Sequence, residues 1–306
     1  MRGTVLILGG SGKIGSHSAE AFWNAGWTVR QWRHGQEDMA EAARGADVIV
    51  NGLNPPGYHD WANQIPAITA QVVAAAKASG ATVIVPGNVY TFGDVGGVWD
   101  ETTPHRPVSR NGRIRAEMEE AYRASGGRTI VLRAGNFLDS AGNGDTAQLL
   151  LLRQIGRGRI VTPGDPDTMQ AWAWVPDWAR AAVALARVRA GLAPFEDVPF
   201  EGQSFTVAEY KAAAEAELMR PLTLARFPWW AMRAASPVWE LGRELLEMRY
   251  LWSTPHRLSG DKLSGLVPDF RPTPFGEVVR GTLLAASALD VRPHQPVRTG
   301  GKASLA

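Results

Sequence analysis

Residues 4–26 read TVLILGGSGKIGSHSAEAFWNAG. TVLILG is a short β-branched run, and KIGSHSAEAFWNAG carries a helical pattern closed by Gly26, a residue suited to the left-handed position past a helix end. Gly9, Gly12 and Gly15 stand between the two. Glycines at such a strand-to-helix junction let the chain turn sharply and approach a pyrophosphate, while the helix N-terminus offers free N–H groups and partial positive charge. Two other glycine loops are excluded. Lys13 is followed by Ile14 and no glycine stands five residues before Gly12, so this is not a P-loop. Lys13 also occupies the last glycine position of G-x-S-x-G, so it is not a nucleophile elbow. The stretch predicts a dinucleotide cradle built on Gly9, Gly12, Lys13, Ile14 and Gly15.

Working outward, strand and helix signals alternate through residue 135, the pattern of a parallel sheet covered on both faces. WTVRQW, ADVIVNGL, ATVIVPG and RTIVLRAG read as further strands. EDMAEAARG, IPAITAQVVAAAKASG and SRNGRIRAEMEEAY (109–122) read as helices, Pro66 being tolerable in the first turn of the second. Beyond residue 137 the signals mix. TAQLLLLRQIGRG and PDWARAAVALARV read as helical and QAWAWV as strand-like, Thr206 and Glu209 have capping-box spacing, and 228–252 is an aromatic-rich helical region interrupted at Pro237. TPFGEVVRGTLLAASAL reads as the last helix. The expected layout is α/β. A Rossmann-type, doubly wound parallel sheet occupies residues 1–165, with later segments such as 171–190 returning to it. A smaller, mostly helical substrate domain follows at 166–290, and 291–306 is a disordered tail.

The composition is that of an ordinary globular protein, 45% hydrophobic and 20% charged over 306 residues. Lys+Arg 32 against Asp+Glu 30 leaves no clustered basic footprint for nucleic acid. The absence of cysteine removes disulfides, thiolate metal sites and cysteine nucleophiles. The six histidines show no H-E-x-x-H spacing, so no metal is expected. There is no uninterrupted apolar run long enough to span a bilayer and no cleavable leader pattern, so a cytoplasmic protein is expected.

Several segments, in order along nearly the whole chain, resemble the short-chain dehydrogenase/reductase superfamily in its extended or atypical branches, and most closely the NAD-dependent epimerase/dehydratase group. They are the G-x-x-G-x-x-G loop, VPGNVYTFG, ETTPHRPVSRNGRIRAEMEEA, VLRAGNF, AWAWVPDWARAAVALA and SGDKLSGLVPDFRPTPFGEVVRGTL. The resemblance implies a Ser, a Tyr and a Lys for proton transfer, the last two in Tyr-x-x-x-Lys spacing. Here the serine position falls on Pro86 or Gly87, the tyrosine on Asn111 and the lysine on Arg115. An amide does not titrate near neutral pH and Arg stays protonated, so Asn111 and Arg115, four apart on one helical face, read better as a ligand clamp than as a catalytic dyad. Tyr90 is the alternative proton group, with Thr91 or a bound water as further options and a purely structural Tyr90 as the competing reading. Tyr122, two turns beyond Arg115, is too far along the helix.

At the end of the second strand, Arg33 and His34 stand where the adenosine ribose is met, with no acid before Glu37. This favours NADP(H) over NAD(H), since guanidinium matches phosphate geometry. Leu53, closing the third strand, completes the cofactor set. The resemblance assigns Asn88 and Asn136 to substrate contact. Arg153, Arg157 and Arg159 either meet an anionic ligand or are solvated. The aromatics between Phe227 and Trp252 read as core by default, with a pocket or subunit interface as the lesser reading, and Glu240, Glu244 and Glu247 argue against a membrane-surface helix there. The expected partner is a small molecule, with neither nucleic acid nor membrane, in a chain that can form a homodimer. Two function classes stand: an oxidoreductase or epimerase/dehydratase with a non-standard proton donor, and a non-catalytic NADPH-binding regulatory or scaffold protein.

Overall fold

The computed structural model describes residues 3–142 and 144–290; the tail read from 291–306 lies outside them. In chain order the strands are β1 (Thr4–Leu8), β2 (Thr28–Gln31), β3 (Val48–Asn51), β4 (Thr82–Asn88), β5 (Gly97–Trp99), β6 (Thr129–Ala134), β7 (Asn136–Leu138), β8 (Arg159–Thr162), β9 (Gln170–Trp174), β10 (Phe195–Pro199), β11 (Gln203–Phe205), β12 (Thr223–Arg226) and β13 (His256–Leu258). The helices are α1 (Lys13–Asn24), α2 (Met39–Ala43), α3 (Trp61–Ser79), α4 (Arg110–Ala124), α5 (Val175–Val188), α6 (Val207–Leu218), α7 (Trp229–Ala235), α8 (Glu240–Glu247), α9 (Asp261–Leu266) and α10 (Phe275–Asp290).

The central sheet has six parallel strands in the order β10-β6-β4-β3-β1-β2. Strands covered on both faces must be apolar throughout, and β3 and β6 are buried at every position. Helices α1 and α5 pack on one face, with Phe22, Trp178, Ala182 and Val198 in the core between. On the other face lie α2, α3 and α4, whose Met39, Trp61, Ile65, Val72, Met118 and Tyr122 form a second core. Ile14, Ser18 and Phe22 recur every four residues and are the buried stripe of α1. From β1 the chain passes to β2 on one side and then to β3 on the other, so the order reverses between β1 and β3. Crevices at such switch points, outside the carboxyl ends of the strands, are where open α/β sheets bind ligands.

Small sheets (β11-β9-β7, β12-β8 and β13-β5) and the later helices enclose a third core around Trp172, Tyr210, Phe227 and Trp229. Two local expectations need revision. Instead of one helix, 146–158 forms a π-type turn at Ala147–Leu151 and a 3-10 turn at Ile155–Arg157, ended by Gly158 at φ +70° where β8 begins. The aromatic stretch is also not uniformly interior. Phe227 and Trp229 are buried, whereas Trp230 is 77% exposed.

One buried ion cluster ties the sheet to α4. Arg133 of β6 is fully buried, and its guanidinium donates to Glu119 of α4 (2.6 Å), Asp197 of β10 (2.6 Å), the Asn88 carbonyl (2.7 Å) and Thr91 Oγ1 (3.0 Å). Burial alone lowers the pKa of this guanidinium, but the two carboxylates outweigh it and raise the value above its usual one. His105, Glu119 and Asp197 have donor atoms close enough for a metal ion, but the Arg133 guanidinium already occupies both carboxylates as their ion-pair partner. Removing one partner of such a cluster leaves uncompensated buried charge. Arg133→Met is therefore expected to lower the unfolding free energy by about 3–5 kcal/mol, read from urea denaturation, and a loss below about 1 kcal/mol would contradict this account.

Candidate active site

The glycine loop is built by close backbone approach at the carboxyl ends of β1 and β3. Gly9 has φ +73°, and its carbonyl accepts from Gly12 N (2.9 Å). A Cβ on Gly15 would collide with the Gly9 carbonyl, and one on Gly52 would meet Gly15 N at 2.9 Å. Gly12 caps α1 without a side-chain bond, and no acid stands in the first helical turn. The first N–H groups therefore have no side-chain acceptor at the cap, and no carboxylate within the first turn of α1 itself opposes an anion. This is the fit a dinucleotide pyrophosphate requires. Leu53 follows β3, its N–H donating to Asn51 Oδ1 (3.1 Å).

Sequence reasoning missed a buried acid pair beside this loop. Asp139 accepts from His17 Nε2 when that ring is protonated there (2.7 Å) and from Ala141 N. Asp145 accepts from Asp139 N and Gln148 N, both at 2.8 Å. Burial pushes the Asp145 carboxyl up to about 6, with its two N–H donors opposing and the Asp139 charge adding. Burial also raises Asp139, but His17, the Ala141 N–H and Lys13 outweigh it and hold that carboxyl below its usual value. Lys13 reaches the same segment, its Nζ donating to the Gly144 carbonyl (3.2 Å). No motif announces this pair, because its members are joined only through the fold.

At the adenosine end, Arg33 and His34 follow β2 and are exposed. Trp32 packs edge-on against His34 at 5.3 Å. The acid expected to be out of the way is not: Glu37 folds back so that its carboxylate accepts from Arg33 N (3.1 Å).

The reaction end gathers Asn88, Tyr90, Asn111 and Arg115. Asn88 Oδ1 accepts from Tyr90 N (3.1 Å) and caps the turn Val89–Phe92. Gly112 lets α4 approach closely, since a Cβ there would meet the Tyr90 carbonyl at 2.6 Å. The Tyr90 hydroxyl lies 2.9 Å from that of Tyr58, a residue at φ +62° in the loop between β3 and α3. Burial raises both phenols above their usual value, and the nearby Arg115 charge opposes this. Arg115 is buried; one guanidinium nitrogen donates to the Pro86 carbonyl, the group stands over the Trp61 ring at 5.8 Å, and Nε is buried without a protein acceptor. Asn111 is fully buried and donates through Nδ2 to Glu244 of α8 (2.7 Å), while its Oδ1 has no protein donor. Glu244 also pairs with Arg110, and Glu247 accepts from the N–H of Arg110. Tyr58 and Trp61 were not among the residues read from sequence, and Glu244 was read only as an acid disfavouring a membrane-surface helix. Asn136 lies apart on β7, half-buried and in register with Trp172.

The acid pair yields a pH prediction. The folded-state pKa of Asp145 is raised, so the carboxyl is neutral below about pH 6 and adds negative charge near α1 as pH rises through that value. NAD+ affinity should therefore fall by roughly two- to fivefold between pH 5 and 7, the size of a screened charge interaction. Calorimetry on Asp145→Asn should show that decline flattened; an unchanged pH profile would remove Asp145 from the cradle's electrostatics.

Comparison with known proteins agrees with this architecture. The structure of UDP-glucuronic acid 4-epimerase from Bacillus cereus, in complex with UDP-glucuronic acid and NAD, superposes with a TM-score of 0.76 at 14% identity, covering 94% of this chain and 99% of the other. A putative epimerase from Burkholderia cenocepacia J2315 gives 0.72 at 19% identity, covering 94% and 98%. At such identities the likeness shows the fold alone. Among curated proteins, a glycerol-3-phosphate dehydrogenase [NAD(P)+] from Nostoc sp. is 28% identical over 113 residues, 35% of this chain and only 34% of that protein's length. The family profile described as NAD dependent epimerase/dehydratase matches residues 5–196, well over half of the chain. The chain belongs to the NAD dependent epimerase/dehydratase family.

Proposed function

We propose that this protein binds NADP(H) and acts as an oxidoreductase or epimerase/dehydratase on a nucleotide sugar or related hydroxyl or carbonyl compound, with Tyr90 as its proton-exchanging group. The observation that carries this reading is the Tyr58–Tyr90 hydroxyl pair at 2.9 Å, electrostatically coupled to Arg115, in a chain whose segment resembling the family's Tyr-x-x-x-Lys holds Asn111 and Arg115. The nicotinamide supplies hydride acceptance and donation when bound. The protein's own part is to orient and to move a proton. Tyr90 Oη accepts the proton of a substrate hydroxyl in the oxidising direction and returns it to the carbonyl oxygen in the reducing direction. Tyr58 holds the phenol in place, and Arg115 stabilises the phenolate that takes up the proton and is restored when the proton is returned. The orphan Nε of Arg115 is available to a ribose hydroxyl, and Gly9, Gly12, Lys13, Ile14, Gly15 and Leu53 form the pyrophosphate cradle. Arg33 and His34, both exposed at the end of β2, support preference for a 2′-phosphate.

A second reading has its own support. The Asn111 amide is bonded to Glu244 and Arg115 to the Pro86 carbonyl, an arrangement a non-catalytic NADPH sensor would tolerate. NADPH consumption with a panel of carbonyl compounds and nucleotide sugars separates the two. Tyr90→Phe is expected to lower kcat by about 100-fold or more while leaving the dinucleotide Kd within about twofold. Tight NADPH binding with no turnover on any substrate class would favour the sensor. Arg33→Ala should weaken NADPH by about tenfold and leave NADH unaffected, as loss of one charge-assisted contact to phosphate requires; equal losses for both would remove Arg33 as the basis of a preference for NADPH.

A further inference from the structure

Helices α7 and α8 form a hairpin joined by residues 236–239. Its inner side is well packed: Phe227 and Trp229 are buried in the third core, against which Met232, Leu245 and Leu246 also lie. Its outer side is unusual for a surface in water. Trp230 is 77% exposed, Val238 91% and Trp239 40%, and Arg233, Pro237 and Arg243 are exposed with them. Arg243 donates to the Ser236 carbonyl (3.1 Å), which fixes its charge beside the apolar turn. From residue 218 to 239 the chain has no Asp or Glu but carries Arg220, Arg226 and Arg233.

The sequence argument against a membrane surface rested on Glu240, Glu244 and Glu247. The fold pairs all three: Glu244, buried, with Arg110 and Asn111, Glu247 with Arg110, and Glu240, which stays partly exposed, with His59 (2.7 Å). Beside this paired acid the outer side presents two indoles, an isopropyl group and guanidinium groups. Indoles settle at the headgroup level of bilayers, and arginines beside them meet lipid phosphates. We propose that the α7–α8 hairpin docks this protein on an anionic lipid bilayer. Insertion is shallow, since no helix among the described residues is long and apolar enough to cross.

The test is co-sedimentation of the full chain with vesicles of phosphatidylcholine alone and of phosphatidylcholine mixed with phosphatidylglycerol. Binding to the anionic vesicles should be at least about tenfold stronger, fall at high salt and shift tryptophan emission to the blue. Trp230→Ser with Val238→Ser should abolish it while circular dichroism and NADPH binding stay unchanged, and Arg233→Glu with Arg243→Glu should remove the preference for anionic lipid. Absence of binding to both vesicle types, or equal binding to both, overturns the proposal. So does a dimer in sedimentation velocity that the double serine variant dissolves, because a second copy would then cover this face.

Discussion

Backbone touches backbone where Gly15 of α1 lies over Gly9 and against Gly52 at the end of β3. That contact sets the distance between helix and sheet at the point where the strand order reverses, and the geometry of the mouth follows from it. A side chain at Gly15 would have to displace a carbonyl rather than a flexible neighbour, so the helix would be lifted and its N–H groups re-aimed. The same contact brings Lys13 and His17 against the 139–145 segment, which places two buried carboxylates beside a helix end suited to anions. The cradle thus combines a favourable dipole with nearby acids, of which burial keeps one protonated at mildly acidic pH.

A second constraint transmits that geometry to the reaction end. Arg133 fastens β6 to α4 through Glu119, to β10 through Asp197 and to the turn beyond β4 through the Asn88 carbonyl and Thr91. Because α4 carries Asn111 and Arg115, and the turn beyond β4 carries Tyr90, the cluster holds the candidate site's two halves in register. From α4 the linkage continues into α8 through Arg110 and Asn111. The sheet and α8 are therefore joined through α4 by charged groups, of which Arg133, Glu119 and Glu244 are buried.

The parallel sheet was legible because period and punctuation agree there: apolar runs such as VIVN and TIVLRA, glycines at the turns, and helices with a clear buried stripe. The glycine loop was legible for the same reason, being local. What the chain order hid is non-local. Tyr58 owes its place to a loop with three left-handed residues, Gly57, Tyr58 and Asp60, which propensity rules do not foresee for Tyr. Asp145 meets Asp139 across a turn, and Glu244 reaches Asn111 from 133 residues away. The helix expected over 146–158 failed because Gly156 and Gly158 weaken it and the pairing of β8 with β12 claims the following backbone.

Asn111 and Arg115, four apart on α4, are held in place by several elements together. An asparagine side chain is shorter than a tyrosine, and the carboxylate that meets it comes from α8. A buried carboxylate requires a counter-charge, which Arg110 supplies at the start of α4. An arginine at position 115, longer than a lysine and with donors on both sides of a plane, reaches the Pro86 carbonyl while lying near the Trp61 ring. A larger side chain at Asn111 would therefore press against Glu244, and loss of the Arg115 guanidinium would leave the Pro86 carbonyl without that donor. Arg110 and Asn111 share the Glu244 carboxylate, so substitutions among these three residues are not independent, and the cost of changing one depends on whether the others are kept.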